Sequence, residues 1–348
     1  MSKSTRREFL KNTVLGTVGT GLALTALRPE DLLADPQAGG SRTYTAGRFA
    51  IELDGIMAGW LHSAEGGHAT SDVVTEKIGP DQMQKKHIGN VKYEDLTLAC
   101  GTGMSKAFYE WITGFIAGRN MRKNGAIVTC DYNYNEISRL EFSNALITEF
   151  GMPALDAASK DAAKMTIKFQ PEFTRMQAKT GGATKAGGTA KTLLAPKVQK
   201  KWLPSNFRLQ IDGLDCTKVN KVEAITVKQK VVGNPVGGTQ AYQKEGTSVE
   251  SPNLVITLPE ANAAGFLNWH QQFVASGKNN KASEKTGQLA YLTEDLSETL
   301  FTLNFHGLGI FKVTHDKREA HNEQVARVKA EMYCEEIQFR YGAGSTWA

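Results

Sequence analysis

The chain carries the same sequence pattern twice. Residues 49–55 (FAIELDG) return as residues 207–213 (FRLQIDG), and both runs alternate apolar with other residues before an Asp-Gly pair. Such alternation is typical of a strand that runs into a turn. In each half 57 positions separate that aspartate from a tryptophan, Trp111 in the first and Trp269 in the second. Two markers at one spacing predict a tandem duplication, and therefore two domains of one fold.

Within each copy, the order of elements is that of a β-rich domain with one helix. Strand-like runs begin at Leu96 and Leu254, 42 positions after the aspartate in both copies. An amphipathic helix follows each run, and the second is expected to start after Pro259. The apolar face of the helix consists of Phe108, Trp111, Ile112 and Phe115 in the first copy and of Phe266, Trp269 and Phe273 in the second. Further strand-like runs lie at 125–128, 137–147 and 165–169, and at 287–290, 299–305 and 328–339. We predict a mainly β (α+β) fold: two tandem small β-barrel or sandwich domains, each with one flanking α-helix.

These patterns divide the chain into five segments. They are residues 1–43 (signal and linker), 44–176 (first copy), 177–203 (linker), 204–342 (second copy) and 343–348 (tail). Between residues 177 and 201 there are six lysines, two Gly-Gly pairs and no acidic residue. This composition predicts a flexible linker. A nucleic-acid contact is the alternative, but no aromatic residues alternate with the lysines to stack on bases.

Each copy also has a long segment between its first strand and its Leu96 or Leu254 strand. These segments are residues 57–93 and 214–253. Loops of this length in compact domains are usually functional or disordered. Apolar and polar residues alternate over much of residues 222–227 (VEAITV), which predicts a projecting hairpin arm in the second copy.

The N-terminus has the pattern of a targeting segment. Residues 4–11 (STRREFLK) resemble a bacterial twin-arginine export signal, carried by Arg6, Arg7, Phe9, Leu10 and Lys11. The mildly apolar stretch that follows is shorter than the roughly 20 residues that span a bilayer. The signal implies folding in the cytoplasm and a periplasmic, extracellular or cell-surface destination. A chance Arg-Arg pair before a buried helix is the alternative, and cleavage of the signal stays open.

The four cysteines do not have the spacing of a metal or redox motif. Cys100, Cys130, Cys216 and Cys334 lie in strand-like runs and include no C-x-x-C pair. Buried structural thiols are the expected state, with intradomain disulfides as the alternative at an oxidising destination.

Other candidates for chemistry also have simpler structural interpretations. Residues 62–68 (HSAEGGH) lack the spacing of a helical metal site, so a solvated loop is expected. Residues 101–106 (GTGMSK) lack the four-residue spacer of a phosphate-binding loop and predict a tight strand-to-helix turn. Asp54 and Asp212 are expected to form turns. His315 and His321 are expected in an exposed charged turn, and His270 at the edge of the second helix. We therefore predict no catalytic, cofactor-binding or metal-binding residues.

The elements together resemble the tail tube proteins of long-tailed phages and of the related contractile injection machines. The similarity is densest over residues 86–171. The segments that carry it are 87–98 (HIGNVKYEDLTL), 108–111 (FYEW), 122–128 (RKNGAIV) and 140–146 (LEFSNAL). The second copy matches in its helix and framing strands but lacks the Arg-Lys-Asn-Gly turn and the Asn-Ala pair.

This resemblance implies a structural subunit and not an enzyme. In the family, six domains close into a ring with a β-lined channel, and rings stack. Two domains per chain then imply a homotrimer with pseudo-sixfold symmetry, and tube cap, baseplate or sheath-like proteins are possible partners. The net charge of +5, from 41 basic and 36 acidic residues, does not favour nucleic-acid recognition. The alternatives are an exported binding or adaptor module that does not polymerise, and an exported enzyme.

Overall fold

The first copy is a closed barrel of six strands. A computed structural model describes residues 47–77, 79, 83–178, 202–234, 242–316 and 325–342. The strands of the first copy are β1 (Arg48–Leu53), β2 (Ile56–Gly66), β3 (Ala69–Glu76), β4 (Lys85–Tyr93), β5 (Leu96–Met104), β6 (Lys123–Cys130), β7 (Glu136–Met152), β8 (Leu155–Asp156), β9 (Met165–Gln170) and β10 (Phe173–Ala178). Antiparallel pairing runs β1–β2–β5–β9–β7–β6 and returns to β1, which closes the barrel. Strands β3 and β4 form a separate two-stranded hairpin.

One helix packs on this barrel. Helix α1 (Lys106–Ile116) begins after Ser105, whose hydroxyl accepts a hydrogen bond from the Phe108 amide at 3.3 Å. Serine is a favourable N-cap residue because it satisfies an amide that has no partner inside the helix. The predicted apolar face is buried, including Phe108 and Trp111. The Trp111 Nε1 donates to the Met121 carbonyl at 2.8 Å.

The second copy is an open half-barrel. Its strands are β11 (Phe207–Ile211), β12 (Lys221–Val222), β13 (Ile225–Asn234), β14 (Gln243–Glu250), β15 (Leu254–Pro259), β16 (Lys285–Leu292), β17 (Thr299–His315) and β18 (Arg327–Tyr341). The sheet order is β11–β16–β17–β18–β15–β12. Its helix α2 (Ala264–His270) is preceded by a 3₁₀ turn (Glu260–Asn262) and continues as a π-helical turn (Gln271–Ala275). A further 3₁₀ turn spans Lys281–Ser283.

The second barrel is open because a turn stands where the first copy has most of β2. The Asp215 carboxylate accepts hydrogen bonds from the Thr217 amide at 2.9 Å and from its hydroxyl at 2.7 Å. Aspartate and threonine offer the backbone this local alternative to a strand ladder. Strand β12 is therefore only two residues long.

The geometry confirms the duplication. The bulge of β7 between Ile147 and Glu149 recurs in β17 between Ile310 and Lys312. The indole of Trp269 donates to the Ser283 carbonyl at 3.2 Å, as that of Trp111 does to Met121. The described residues of both copies nevertheless form one compact unit with a continuous core.

Several local expectations were wrong. The long segment at 57–93 is not a loop, because it forms β2 and the β3–β4 hairpin. His62 to Gly66 accordingly belong to β2, and Gly101 to Met104 extend β5 instead of forming a turn. The second helical segment does start after Pro259, but its first turn is 3₁₀ and α2 itself begins at Ala264.

Of the expected linker, the structure describes only the residues at its two ends. Gln177 and Ala178 end β10, and the Trp202 side chain is buried against Tyr291 and Phe301. Residues 179–201, the tail from residue 343, His321, and the five export-signal residues Arg6, Arg7, Phe9, Leu10 and Lys11 lie outside the described residues.

Candidate assembly interface

The hairpin arm of the second copy does not project; it extends the sheet of the first copy. Strand β13 pairs antiparallel with the end of β7, from Ile225 opposite Met152 to Lys228 opposite Glu149. Strand β14 pairs with β13, so the sheet of the first barrel continues across both. The short strands β8 and β12 pair as well and join the copies a second time. The two copies are therefore associated through main-chain hydrogen bonds, the pattern of strand addition between partners.

The turn before β6 fixes the outer strand of this arm. The Arg122 guanidinium donates to the Lys244 carbonyl at 2.7 Å, and the Asn120 amide donates to the Gly246 carbonyl at 3.0 Å. Asn120 also accepts from the buried Gln229 amide at 2.9 Å. A Cβ at Gly246 would lie 2.3 Å from the Asn120 Oδ1, so a larger residue would displace the side chain that holds this strand.

Lys244 is a partly buried charge of the interface. Its amide donates to Glu172 at 2.9 Å, and its ammonium donates to the Pro171 carbonyl at 2.7 Å. Burial lowers the pKa of Lys244, and the nearby carboxylates of Asp95 and Glu172 oppose that shift. Pro171 has no backbone N–H to donate to a neighbouring strand, and it lies between the end of β9 and the start of β10. Its carbonyl is available to accept from the lysine.

Aromatic side chains bury the contact between the copies. Tyr109 of α1 stacks on Tyr341 at 5.1 Å between ring centroids and lies 5.6 Å from Phe301. Phe150 of β7 meets Phe339 of β18 edge-to-face at 5.4 Å. The Tyr109 hydroxyl donates to the Thr102 carbonyl at 2.5 Å, and burial raises the pKa of this phenol. The copies thus share one hydrophobic core.

The cysteines are buried free thiols, as expected from the sequence. Burial raises the pKa of Cys100 to about 12 and those of Cys130, Cys216 and Cys334 to about 11. A thiol with a raised pKa is a weak nucleophile. The disulfide alternative is not realised in this structure.

The remaining sequence candidates lie apart from one another. His62 is on β2, where burial and Lys164 lower its pKa, and His270 ends α2. Asp54 and Gly55 form the turn between β1 and β2 with positive φ. Across the described part of the chain, no three His, Cys, Asp or Glu residues are grouped to hold a metal ion.

Sequence reasoning did not identify the interface residues. The signal was nevertheless present: the Arg-Lys-Asn-Gly turn occurs in the first copy and not in the second. The structure explains this difference, because the turn receives the arm of the second copy. Of the helices described, none is both long and apolar enough to cross a bilayer.

The sequence model of one family, described as T4-like virus tail tube protein gp19, matches residues 45–174 and again residues 203–338. The chain belongs to this family. The two matched regions correspond to the closed barrel and the half-barrel, so the chain carries the domain of this family twice. No curated protein sequence matches it.

Solved structures resemble parts of the chain at low identity. A chain of the anti-feeding prophage cap is 22% identical over 39% of this chain and 92% of its own, with a TM-score of 0.35. A chain of the sheath–tube complex of an extracellular contractile injection system (PVC) is 21% identical over 42% of this chain and 99% of its own, with a TM-score of 0.36. Hcp1 from Flavobacterium johnsoniae is 14% identical over 39% of this chain and 96% of its own, with a TM-score of 0.24.

Proposed function

We propose that this tail tube protein is a structural subunit of a ring, with three chains per ring, pseudo-sixfold symmetry, and rings that stack into a tube. The observation that carries the proposal is the strand addition between the copies, in which β13 extends the sheet of the first barrel. One chain thereby holds two neighbouring domains of a ring. Contacts between unlike surfaces generate a closed ring when their rotation closes.

The two unequal copies support a trimer over a hexamer of chains. The first copy receives an arm and is a closed barrel, whereas the second copy donates an arm and is open. Three chains supply six domains in alternation. A ring also removes exposed sheet edges, which otherwise favour uncontrolled association.

Native mass spectrometry of the full chain tests the stoichiometry. We expect particles that contain three chains of 37.9 kDa, or multiples of three, with the count unchanged over a range of protein concentrations. A protein that remains monomeric while binding a specific ligand would instead indicate an adaptor module. Particles with an even number of chains and no multiple of three would exclude the trimer.

We also propose that the subunit leaves the cytoplasm by the twin-arginine route and acts in the periplasm or at the cell surface. Replacing Arg6 and Arg7 with lysine keeps the charge but removes the pair that defines the signal. Immunoblots of cell fractions should then find the protein in the cytoplasm. Lys3→Arg is the matched control and should leave export unchanged; export of the double-lysine variant at the normal level would contradict the proposed route.

A further inference from the structure

The first copy has the same hairpin arm as the second, residue for residue. Thr70 pairs with Lys92 in the β3–β4 hairpin, and Lys228 pairs with Glu250 in the β13–β14 hairpin, 158 positions later for both strands. A bulge interrupts each hairpin at the same relative position, between Ser71 and Val73 in the first and between Gln229 and Val231 in the second. The two arms are therefore equivalent hairpins with different side chains.

Within the described residues, the β3–β4 arm pairs with no further strand. Its apolar side chains are largely in solvent: Val73 is 64% exposed and Ile88 is 73% exposed. An exposed hairpin edge with apolar residues is suited to pairing with another sheet.

The second copy has the edge that such an arm requires. Glu149 of β7, which β13 covers, corresponds to Lys312 of β17, because both follow the same bulge. Strand β16 pairs with β17 only as far as Leu308, and β18 occupies the opposite edge. From Phe311 to Thr314 no described strand pairs with the β16 side of β17. Phe311 is 39% exposed there, whereas the corresponding part of β7 lies under β13.

One basic residue of the arm comes to lie beside an acidic residue of the edge. Strand β4 carries Lys85, Lys86 and Lys92; Lys92 is paired with Asp72 of β3, and Lys85 lies opposite Glu76 of β3, which leaves Lys86 for a partner chain. By the same alignment Lys86 takes the place of Lys244, and Glu335 of β18 takes the place of Glu172, which accepts the Lys244 amide. Lys86 would therefore lie beside Glu335, as Lys244 lies beside Glu172 inside the chain.

Glu284 adds an observation on the same edge. Glu284 corresponds to Arg122 of the first copy. The alignment follows from the residues just before them, because Met121 and Ser283 each accept a hydrogen bond from the equivalent tryptophan. The Glu284 Oε1 accepts a hydrogen bond from the Tyr333 hydroxyl at 2.8 Å, whereas its buried Oε2 accepts none from the residues described. A buried oxygen without a donor is costly, and a basic arm would supply that donor.

We infer that the β3–β4 arm of one chain adds to β17 of the next chain, with Thr70 opposite Lys312 and Ala69 opposite Val313. The register is that of Lys228 opposite Glu149 inside the chain. Each chain then has one arm to donate and one edge to receive, so a single type of contact joins all chains head to tail. The inference rests on the proposed ring and specifies how its chains are joined.

Paired cysteines test this register. In Thr70→Cys/Lys312→Cys, oxidation should link neighbouring chains, and a non-reducing gel should show covalent dimers and trimers. Either single variant alone should stay monomeric on the gel, and a mixture of the two single variants should give dimers only. The four native thiols are buried and do not compete.

The matched control is Lys228→Cys/Glu149→Cys. These residues face each other inside the chain, with 3.8 Å between the Lys228 Nζ and the Glu149 Oε2. Their disulfide should leave the chain monomeric on the same gel. Dimers from Thr70→Cys alone would mean a symmetric contact and overturn the inference.

Native mass distinguishes this failure from that of the ring. Trimeric particles without the Thr70–Lys312 link, under conditions that oxidise the control, would contradict the arm contact and leave the ring standing. A strictly monomeric protein would contradict both.

Discussion

Replacing Tyr109 with alanine is expected to lower the free energy of unfolding of the whole chain by about 3–5 kcal/mol, the range for large-to-small changes at buried aromatic residues. Tyr109 is fully buried and stacks on Tyr341, and it also contacts Phe301 and Phe339 of the second copy. The cavity would therefore open in the core that both copies share. Equilibrium unfolding in guanidinium chloride measures the loss as a shift in midpoint.

Tyr109→Phe is the control for packing. It keeps the ring contacts and removes only the hydrogen bond to the Thr102 carbonyl. A cost of about 1 kcal/mol is expected for one such bond. Equal losses for the two variants would mean that the hydroxyl, and not the packing between the copies, stabilises this region.

Replacing Val227 with aspartate is expected to cost at least about 3 kcal/mol and to detach the arm from β7. Val227 is 2% exposed, on the strand that pairs with Phe150, so the substitution would put an unpaired charge into an apolar core. Hydrogen exchange should detect the detachment, because the amides of β13 and of the end of β7 would lose protection.

Val232→Asp is the matched control on the same strand. Val232 lies beyond the segment that pairs with β7 and is 51% exposed. Its replacement places a carboxylate opposite Glu245 and should cost no more than about 1 kcal/mol, the range for cross-strand pairs. Val227→Asp without loss of protection in β7 would contradict the strand addition.

The sequence predicted what periodicity and spacing determine locally. The repeat, the helix faced by Phe108 and Trp111, and the main strands of both copies are confirmed, because burial of one face requires a regular pattern. The burial of the four cysteines is confirmed, and three of them lie in strands as predicted; the prediction was wrong for the surroundings of Cys216, which lies in the turn between β11 and β12.

The association of the copies was not predictable in the same way. The VEAITV run indicated a strand, but alternation does not identify the strand that it pairs with, here the end of β7. Likewise, Asp215 and Thr217 form a turn that opens the second barrel through local hydrogen bonds, which a repeat comparison does not weigh. Long-range pairing is a property of the folded chain and not of a sequence window.

The same limit applied to segment 57–93. Its many glycines and polar residues lack the clean apolar alternation of a half-buried strand, so it was predicted to be a loop. The hairpin β3–β4 is exposed on both faces, which removes that alternation while the main-chain pairing remains.

Electron microscopy of the full-length protein tests the central claim most directly. We predict rings whose class averages have threefold symmetry and six domains, with closed barrels alternating with open ones around the ring. Isolated single chains at high protein concentration across all salt conditions, or rings with a domain count other than six, would contradict the account.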